Sequence, residues 1–271
     1  MHRSLLRPKW IAFHLVIAAL VVLMVSLGFW QLRRLDQRQE RNAAVRERSA
    51  LAEEPIGDWL NPSSTADDVA AAEWRPLSAR GSYDTAATVL IRNRSLDGVP
   101  GYHVVTPIVT GDGTAVLVNR GFIPRGSSTS TPAPPPAPSG TVEVIGRVRP
   151  TQARGMFGLS DPDEGTLTEA HRIDVARLAE QLPHPVIPAY LELQATTPQP
   201  AGPQPALLPL PELDEGPHLS YAIQWFLFSA MAIGGWFLAV RRSSSAARAS
   251  DRRRPDQQEQ PATEEPATPR P

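Results

Sequence analysis

Near its C-terminal end the chain reads Glu215-Gly-Pro-His-Leu-Ser-Tyr-Ala-Ile-Gln-Trp-Phe226 and runs straight into a long apolar stretch. His218, Tyr221 and Trp225 are spaced i, i+3 and i+7, so on a helix they share one face. An imidazole nitrogen beside flat aromatic surface at a membrane interface suits an amphipathic planar ligand such as haem. The same three residues also suit an ordinary aromatic belt that anchors a span at the lipid headgroups. Composition narrows the chemistry further. The chain has no Cys, which removes disulfides, thiolate metal sites, C-x-x-C-H haem attachment and Cys-based copper delivery. The formal net charge is −1, so nothing in composition argues for a nucleic-acid partner.

Two apolar segments must position these residues. Ile11 to Leu32 is almost wholly apolar and is flanked by Trp10 and Trp30. About twenty helical residues rise roughly 30 Å, the thickness of the hydrocarbon layer. A cleaved signal peptide would need a shorter apolar core and a small-x-small site close behind it. Here Arg33-Arg34-Leu-Asp follows at once, and the nearest A-x-A, Ala50 to Ala52, lies far downstream. The segment therefore reads as an uncleaved span. Leu219 to Val240 is the second, with Ala230 and Gly234 as a small-xxx-small pair that permits another helix to approach.

Arg241, Arg242, Arg248 and Arg252 to Arg254 follow the second span, and Glu212, Asp214 and Glu215 precede it. The excess of arginine places the C-terminus in the cytoplasm, and two spans then place the N-terminus there too. Arginines after the first span point the other way, but they open a long domain, where the rule is weak. The expected order is a cytoplasmic N-terminus at 1–10, a span at 11–32, an extracytoplasmic β-rich domain with Pro-rich loops at 33–218, a span at 219–240, and a disordered cytoplasmic tail at 241–271. The membrane is expected to be the plasma membrane.

The central segment reads as mainly antiparallel β, which makes the fold class a membrane α+β protein. Trp74 to Tyr83, Ala87 to Arg94, Tyr102 to Val109, Thr114 to Phe122 and Thr141 to Arg149 read as short strands, the last four rich in Val, Ile and Thr. Gly111-Asp-Gly113 between two of them predicts a hairpin turn. Ile173 to Leu182 fits a short helix and Val186 to Gln194 a last strand. A small barrel or sandwich with one or two helices packed on it is the expected architecture. Asn61 to Ala72, Ser127 to Gly140 and Thr196 to Pro211 read as mobile from their polar or Pro-rich composition, and Ser243 to Pro271 as disordered. No G-x-S-x-G, H-E-x-x-H or phosphate-cradling Gly loop occurs, so no enzymatic activity is expected. His103, His171 and His184 are scattered. Arg92, Arg94, Arg120 and Arg147 can form either a basic patch or a wet strand face.

Four stretches together resemble the surfeit locus protein 1 family. They are Leu27-Gly-Phe-Trp-Gln-Leu-Arg-Arg-Leu35, Pro100-Gly-Tyr-His-Val-Val-Thr-Pro107, Val116-Leu-Val-Asn-Arg-Gly-Phe-Ile-Pro124 and His218-Leu-Ser-Tyr-Ala-Ile-Gln-Trp-Phe226. They fall in the family's order between two spans and cover the chain from about Trp10 to Val240. Phe122 departs from the family pattern, where Trp usually follows Asn-Arg-Gly. The resemblance implies an assembly factor for haem-copper cytochrome c oxidase, a chaperone of the respiratory chain. It would help deliver haem a to the catalytic subunit, with the haem a synthesis enzymes and membrane lipid as further partners. His218 is the implied iron ligand. Gln31 and Arg34 leave the first span on the side where His218, Tyr221 and Trp225 enter the second. If the helices pack, imidazole, aromatic faces and arginine meet at one depth, as a haem with its propionates requires. The alternative from another class is a membrane scaffold that binds oxidase subunits without touching cofactor. His14, a turn inside the cytoplasmic end of the first span, ranks below His218 as a ligand.

Overall fold

The computed structural model describes residues 8–126, 131–153, 155 and 159–253. The chain divides into two compact units, Met1–Glu40 with Asp214–Pro271, and Arg41–Leu213. Its elements are α1 (Pro8–Ser49), β1 (Glu54–Pro55), α2 (Ala66–Ala72), β2 (Pro76–Tyr83), β3 (Val89–Leu96), β4 (Val99–Thr110), β5 (Ala115–Pro124), β6 (Thr141–Pro150), β7 (Glu169–Ala170), α3 (Val175–Ala179), β8 (Val186–Thr197) and α4 (His218–Arg253).

In the first unit, α1 and α4 are both long and apolar enough to cross a membrane. Along α1, His14, Ile17, Val21, Met24, Gly28, Gln31 and Leu35 are buried or half-buried, in alternating steps of three and four. Along α4, His218, Ala222, Trp225, Ser229, Ala232 and Trp236 alternate the same way. This is the seam of a two-helix pair. The register is antiparallel: Gln31 meets His218, the Phe29 and Phe226 rings lie 5.5 Å apart, and His14 meets Trp236. Gly28 is the close-approach point, since a Cβ there would fall 2.7 Å from the Phe226 ring. The small pair Ala230 and Gly234 is not on this seam. Both residues are exposed, and nothing lies within 4 Å of a Cβ built on Gly234.

Both helices outrun the apolar segments. α1 continues through Ser49, because the polar stretch after Leu32 holds good helix formers and no Gly or Pro. α4 continues through Arg253, so the expectation of disorder from Ser243 is corrected up to that residue. Residues 254–271 lie outside the described residues.

The second unit is built on five strands that close into a ring. β2 pairs with β6, β6 with β8, β8 with β5, β5 with β4, and β4 returns to β2 through Gly81–Tyr83 against Ile108–Thr110. Gly81 sits where β2 bends from one partner to the other; a Cβ there would meet the Val109 carbonyl oxygen at 2.1 Å. β3 and β7 extend the sheet beyond β4, and β1 adds to β2. The pairing is antiparallel except for β1–β2, β3–β7 and β5–β8. The sheet is thus mixed, while the antiparallel majority follows the expectation. The hairpin at Gly111-Asp-Gly113 joins β4 to β5, with Gly113 at φ +83° and the Asp112 carboxylate accepting from the Thr114 amide.

Alternate residues of all five ring strands, among them Leu77, Ile108, Val116, Val118, Val144 and Leu191, form one core cluster. A second cluster packs Val175 and Leu178 of α3 onto Ile91, Val105, Leu117 and Tyr190. β5 is buried on both faces, which explains its unbroken apolar run Ala115–Val118.

Two segments expected to be mobile are structured. Residues 66–72 of the polar stretch form α2, capped by Thr65 in a reciprocal box with Asp68, and its Val69 and Ala72 are buried. The Pro-rich stretch after β8 is a strap held on the domain. Phe122 and Ala206 exchange two backbone hydrogen bonds of 2.8 Å, and Arg147 donates to the Leu208 carbonyl at 2.7 Å. In the loop 127–140, residues 127–130 lie outside the described residues, and the Pro135 and Pro136 carbonyls accept from Arg120.

Candidate cofactor site at the start of the second apolar helix

Gly216-Pro217 fixes where α4 begins. Gly216 takes φ +67°, a left-handed conformation that suits glycine, and the Tyr221 amide donates to the Pro217 carbonyl at 3.1 Å. His218 is therefore the first residue of the helix. Its Nδ1 lies 2.8 Å from Oε1 of Gln31 on α1. An amide oxygen only accepts, so Nδ1 carries the proton and a neutral His218 presents a bare lone pair at Nε2. Gly216 lies beside the Cδ2–Nε2 edge of the ring. A Cβ at Gly216 would stand 3.5 Å from Cδ2 and 3.6 Å from Nε2.

The other expected site residues are placed less uniformly. Tyr221 follows His218 by a turn and is exposed, a flat surface free to be covered. Trp225, two turns on, is half-buried and sits edge-on to Phe228 with ring centroids 6.1 Å apart. Arg34 is exposed and donates to Gln37 at 3.1 Å, away from His218. The structure thus joins His218 to Gln31, sets Tyr221 and Trp225 on the same helix, and leaves Arg34 turned aside. Gly216 was not singled out by the sequence reading, although a Gly-Pro pair ahead of a span is a visible helix-start signal. His14 is engaged elsewhere, its Nδ1 accepting from the Trp236 indole N–H at 2.8 Å.

His103, His171, His184 and the four arginines named as a possible patch lie in the second unit. His103 is half-buried, and its Nδ1 accepts from Asn119 at 3.3 Å. Burial, helped by the charge of Arg94, lowers its pKa to about 4. His171 takes an N–H from Arg92 at 3.3 Å. Arg147 pairs with Glu192 at 2.7 Å and Arg92 with Glu169 at 3.5 Å, while Arg94 binds Gln152. Each of the four arginines named as a possible basic patch has partners of its own. No group of three or more His, Asp or Glu able to hold a metal ion occurs among the described residues.

The four motifs meet in two pairs. The first and last supply Gly28 and Gln31 against Phe226 and His218. The middle two are neighbouring strands, with Tyr102 opposite Ile123 and His103 opposite Phe122. The Phe122 ring covers Gly101, where a Cβ would come within 2.5 Å of it. The sequence from 18 to 230 matches the model of the SURF1 family. An uncharacterized SURF1-like protein of Mycobacterium tuberculosis is 30% identical over 230 residues, covering 84% of this chain and 82% of the relative. A SURF1-like protein of Monosiga brevicollis is 27% identical over 237 residues, covering 83% and 86%. Surfeit locus protein 1 of Homo sapiens is 26% identical over 245 residues, covering 84% and 78%. The match takes in both paired sets of motifs, one in each unit, and the chain belongs to the SURF1 family.

Proposed function

We propose that the protein is an assembly factor for haem-copper cytochrome c oxidase that holds haem a on its way to the catalytic subunit, with His218 as the iron ligand. The observation that carries this reading is the Gln31–His218 hydrogen bond, which orients the ring and leaves Nε2 free beside the bare backbone of Gly216. Haem a, when bound, supplies an iron able to accept an imidazole nitrogen. Gln31 holds the Nδ1 proton and so keeps the ligating nitrogen unprotonated. Tyr221 and Trp225 offer aromatic surface along the same helix. Arg34, exposed and bonded only to Gln37 among the described residues, would be the residue to pair with a propionate. The oxidase reading rests on what the family resemblance implies. The residues themselves support a haem-binding role and assign no catalytic step.

The scaffold reading draws on one observation, the exposed Ala230–Gly234 face of α4, which leaves a close-packing surface for another helix. An absorption spectrum of the detergent-purified protein, co-expressed with the haem a synthesis enzymes, separates the two. The expected result is a haem a spectrum that His218→Ala removes while the protein stays folded and inserted. Ala is the better helix former, so the substitution costs the helix little. His103→Ala, His171→Ala and His184→Ala keep the spectrum. Co-purification of oxidase subunits without chromophore would leave the scaffold in its place.

A further inference from the structure

Two arginines in the outer unit are almost fully buried, Arg120 at 2% exposure and Arg147 at 3%. Arg147 has a carboxylate, Glu192, at 2.7 Å. Arg120 has none among the described residues. Its guanidinium donates to three neutral oxygens: the Pro135 carbonyl at 3.1 Å, the Pro136 carbonyl at 3.0 Å and Gln204 Oε1 at 3.0 Å. These bonds engage both terminal nitrogens of the guanidinium with neutral acceptors only. A buried cation without an anion is costly, and neutral carbonyls offset that cost only in part.

The space beside it is open. A cavity of about 480 Å³ is bounded by Arg120, Tyr83, the last residues of β8 and the strap. A second, of about 580 Å³, lies under the Pro134–Pro136 loop and is bounded by the same Arg120 and Tyr83. The Tyr83 ring stands 5.6 Å from the Arg120 guanidinium carbon. Its hydroxyl is buried without a hydrogen bond of good geometry; Thr196 lies near enough to favour ionisation slightly. Burial pushes the phenol pKa up to about 12, so the hydroxyl keeps its proton as a donor. A cation lacking a carboxylate partner among the described residues and a buried phenol lacking an acceptor thus border the same cavities. The rest of the first cavity's lining is mixed, with Pro138, Leu193, Pro205 and Leu207 on one hand and Gln194, Thr196, Thr197 and Gln199 on the other.

We infer that this cavity binds a small organic acid, its carboxylate between Arg120 and Tyr83 and its apolar body against Pro138, Leu193, Pro205 and Leu207. An anion would compensate the charge, the phenol offers it a proton, and the apolar part of the wall favours an organic acid over a bare inorganic ion. The inference is independent of His218 and of haem.

The test uses the full chain in lipid nanodiscs, with para-fluorobenzoate as probe and fluorine NMR as readout against empty nanodiscs. The acid is expected to bind saturably, and its neutral isostere para-fluorobenzamide about tenfold or more weakly. Tyr83→Phe should weaken the acid about fivefold, as expected for one lost hydrogen bond. Arg120 variants risk unfolding the loops that Arg120 stitches. Leu207→Trp instead fills the cavity from an exposed position, and is expected to abolish binding with the melting temperature unchanged. Inorganic phosphate at equal concentration should not displace the probe. The inference is overturned if binding does not exceed that of empty nanodiscs, if the amide binds as well as the acid, if both variants bind unchanged, or if phosphate displaces the probe.

Discussion

At the scale of single residues, hydrogen-bond partners decide what each histidine is able to do. His218 gives its Nδ1 proton to Gln31 and keeps Nε2 free, whereas His14 accepts at Nδ1 from Trp236. On the proposed function, Gln31→Leu removes the orienting acceptor while keeping bulk, and haem affinity should fall about tenfold or more. A spectral titration against wild type measures this, and unchanged affinity would show that Gln31 does not orient the ligand. His103 makes a different prediction, independent of haem. Its folded pKa is about 4, below the ordinary value of 6.5, so the unfolded chain takes up a proton that the folded chain refuses. Its stabilising contribution is complete above pH 6.5, declines as pH falls toward 4, and is fully lost below that. The loss is at most about 3 kcal/mol. Melting curves of the purified protein across this range should show the decline, and His103→Gln should flatten it. An equal slope in the variant would remove His103 as the cause. The residue types at the candidate site were legible in the sequence, because His, Tyr and Trp at helical spacing are visible in one segment. The pairing of His14 with Trp236 was not, because it joins residues 222 apart and depends on the register of two helices.

At the scale of elements, legibility followed how many residues of an element face the core. The strands β3 to β6 and β8 carry β-branched runs, β2 carries none, and the sequence places all six within a few residues of their observed ends. α2 was hidden because only Val69 and Ala72 turn inward while Asp67 and Asp68 face out. Its one local sign was Thr65 followed three residues later by Asp68. The strap after β8 was hidden for the opposite reason. Proline-rich composition speaks against helix and sheet, yet the strap is held by a two-bond bridge to β5 and by two buried arginines. Gly121 permits that bridge: it sits at φ +126°, and a Cβ there would fall 2.3 Å from the Ala206 carbonyl oxygen. Gly121→Ala should therefore strain β5, break the Phe122–Ala206 pair and destabilise the domain by about 3 kcal/mol. Limited proteolysis should then cut within 198–211, where wild type resists. Gly57→Ala, with nothing within 4 Å of its Cβ, is the control and should behave as wild type. Wild-type resistance in Gly121→Ala would mean that the strap is held without the bridge.

At the scale of the whole molecule, the antiparallel seam of α1 and α4 constrains topology beyond what charge counting gives. His14 and Trp236 meet toward one end of the pair, and Gln31 and His218 toward the other. If both helices span, the two chain ends must lie on one side and the segment between them on the opposite side. Charge then decides only which side. Arg241 and Arg242 follow the second apolar segment directly, while Glu212, Asp214 and Glu215 precede it. The arginines after the first segment are interspersed with Asp36, Glu40 and Glu47 and lead into a long domain, where the positive-inside bias is weak. Both termini are therefore expected in the cytoplasm of a plasma-membrane protein, with the β domain outside. A reporter active only in the cytoplasm, fused after Pro271, should be active. The same reporter inserted at Gly111 in the β4–β5 hairpin, where a Cβ would meet nothing within 4 Å, should be silent. The seam makes the two results interdependent. An inactive terminal fusion with an active hairpin fusion would invert the assignment and keep the helix pair. Activity at both positions, in protein recovered from the membrane fraction, would mean that one apolar helix does not cross, and the antiparallel pair would not exist as a pair of spans.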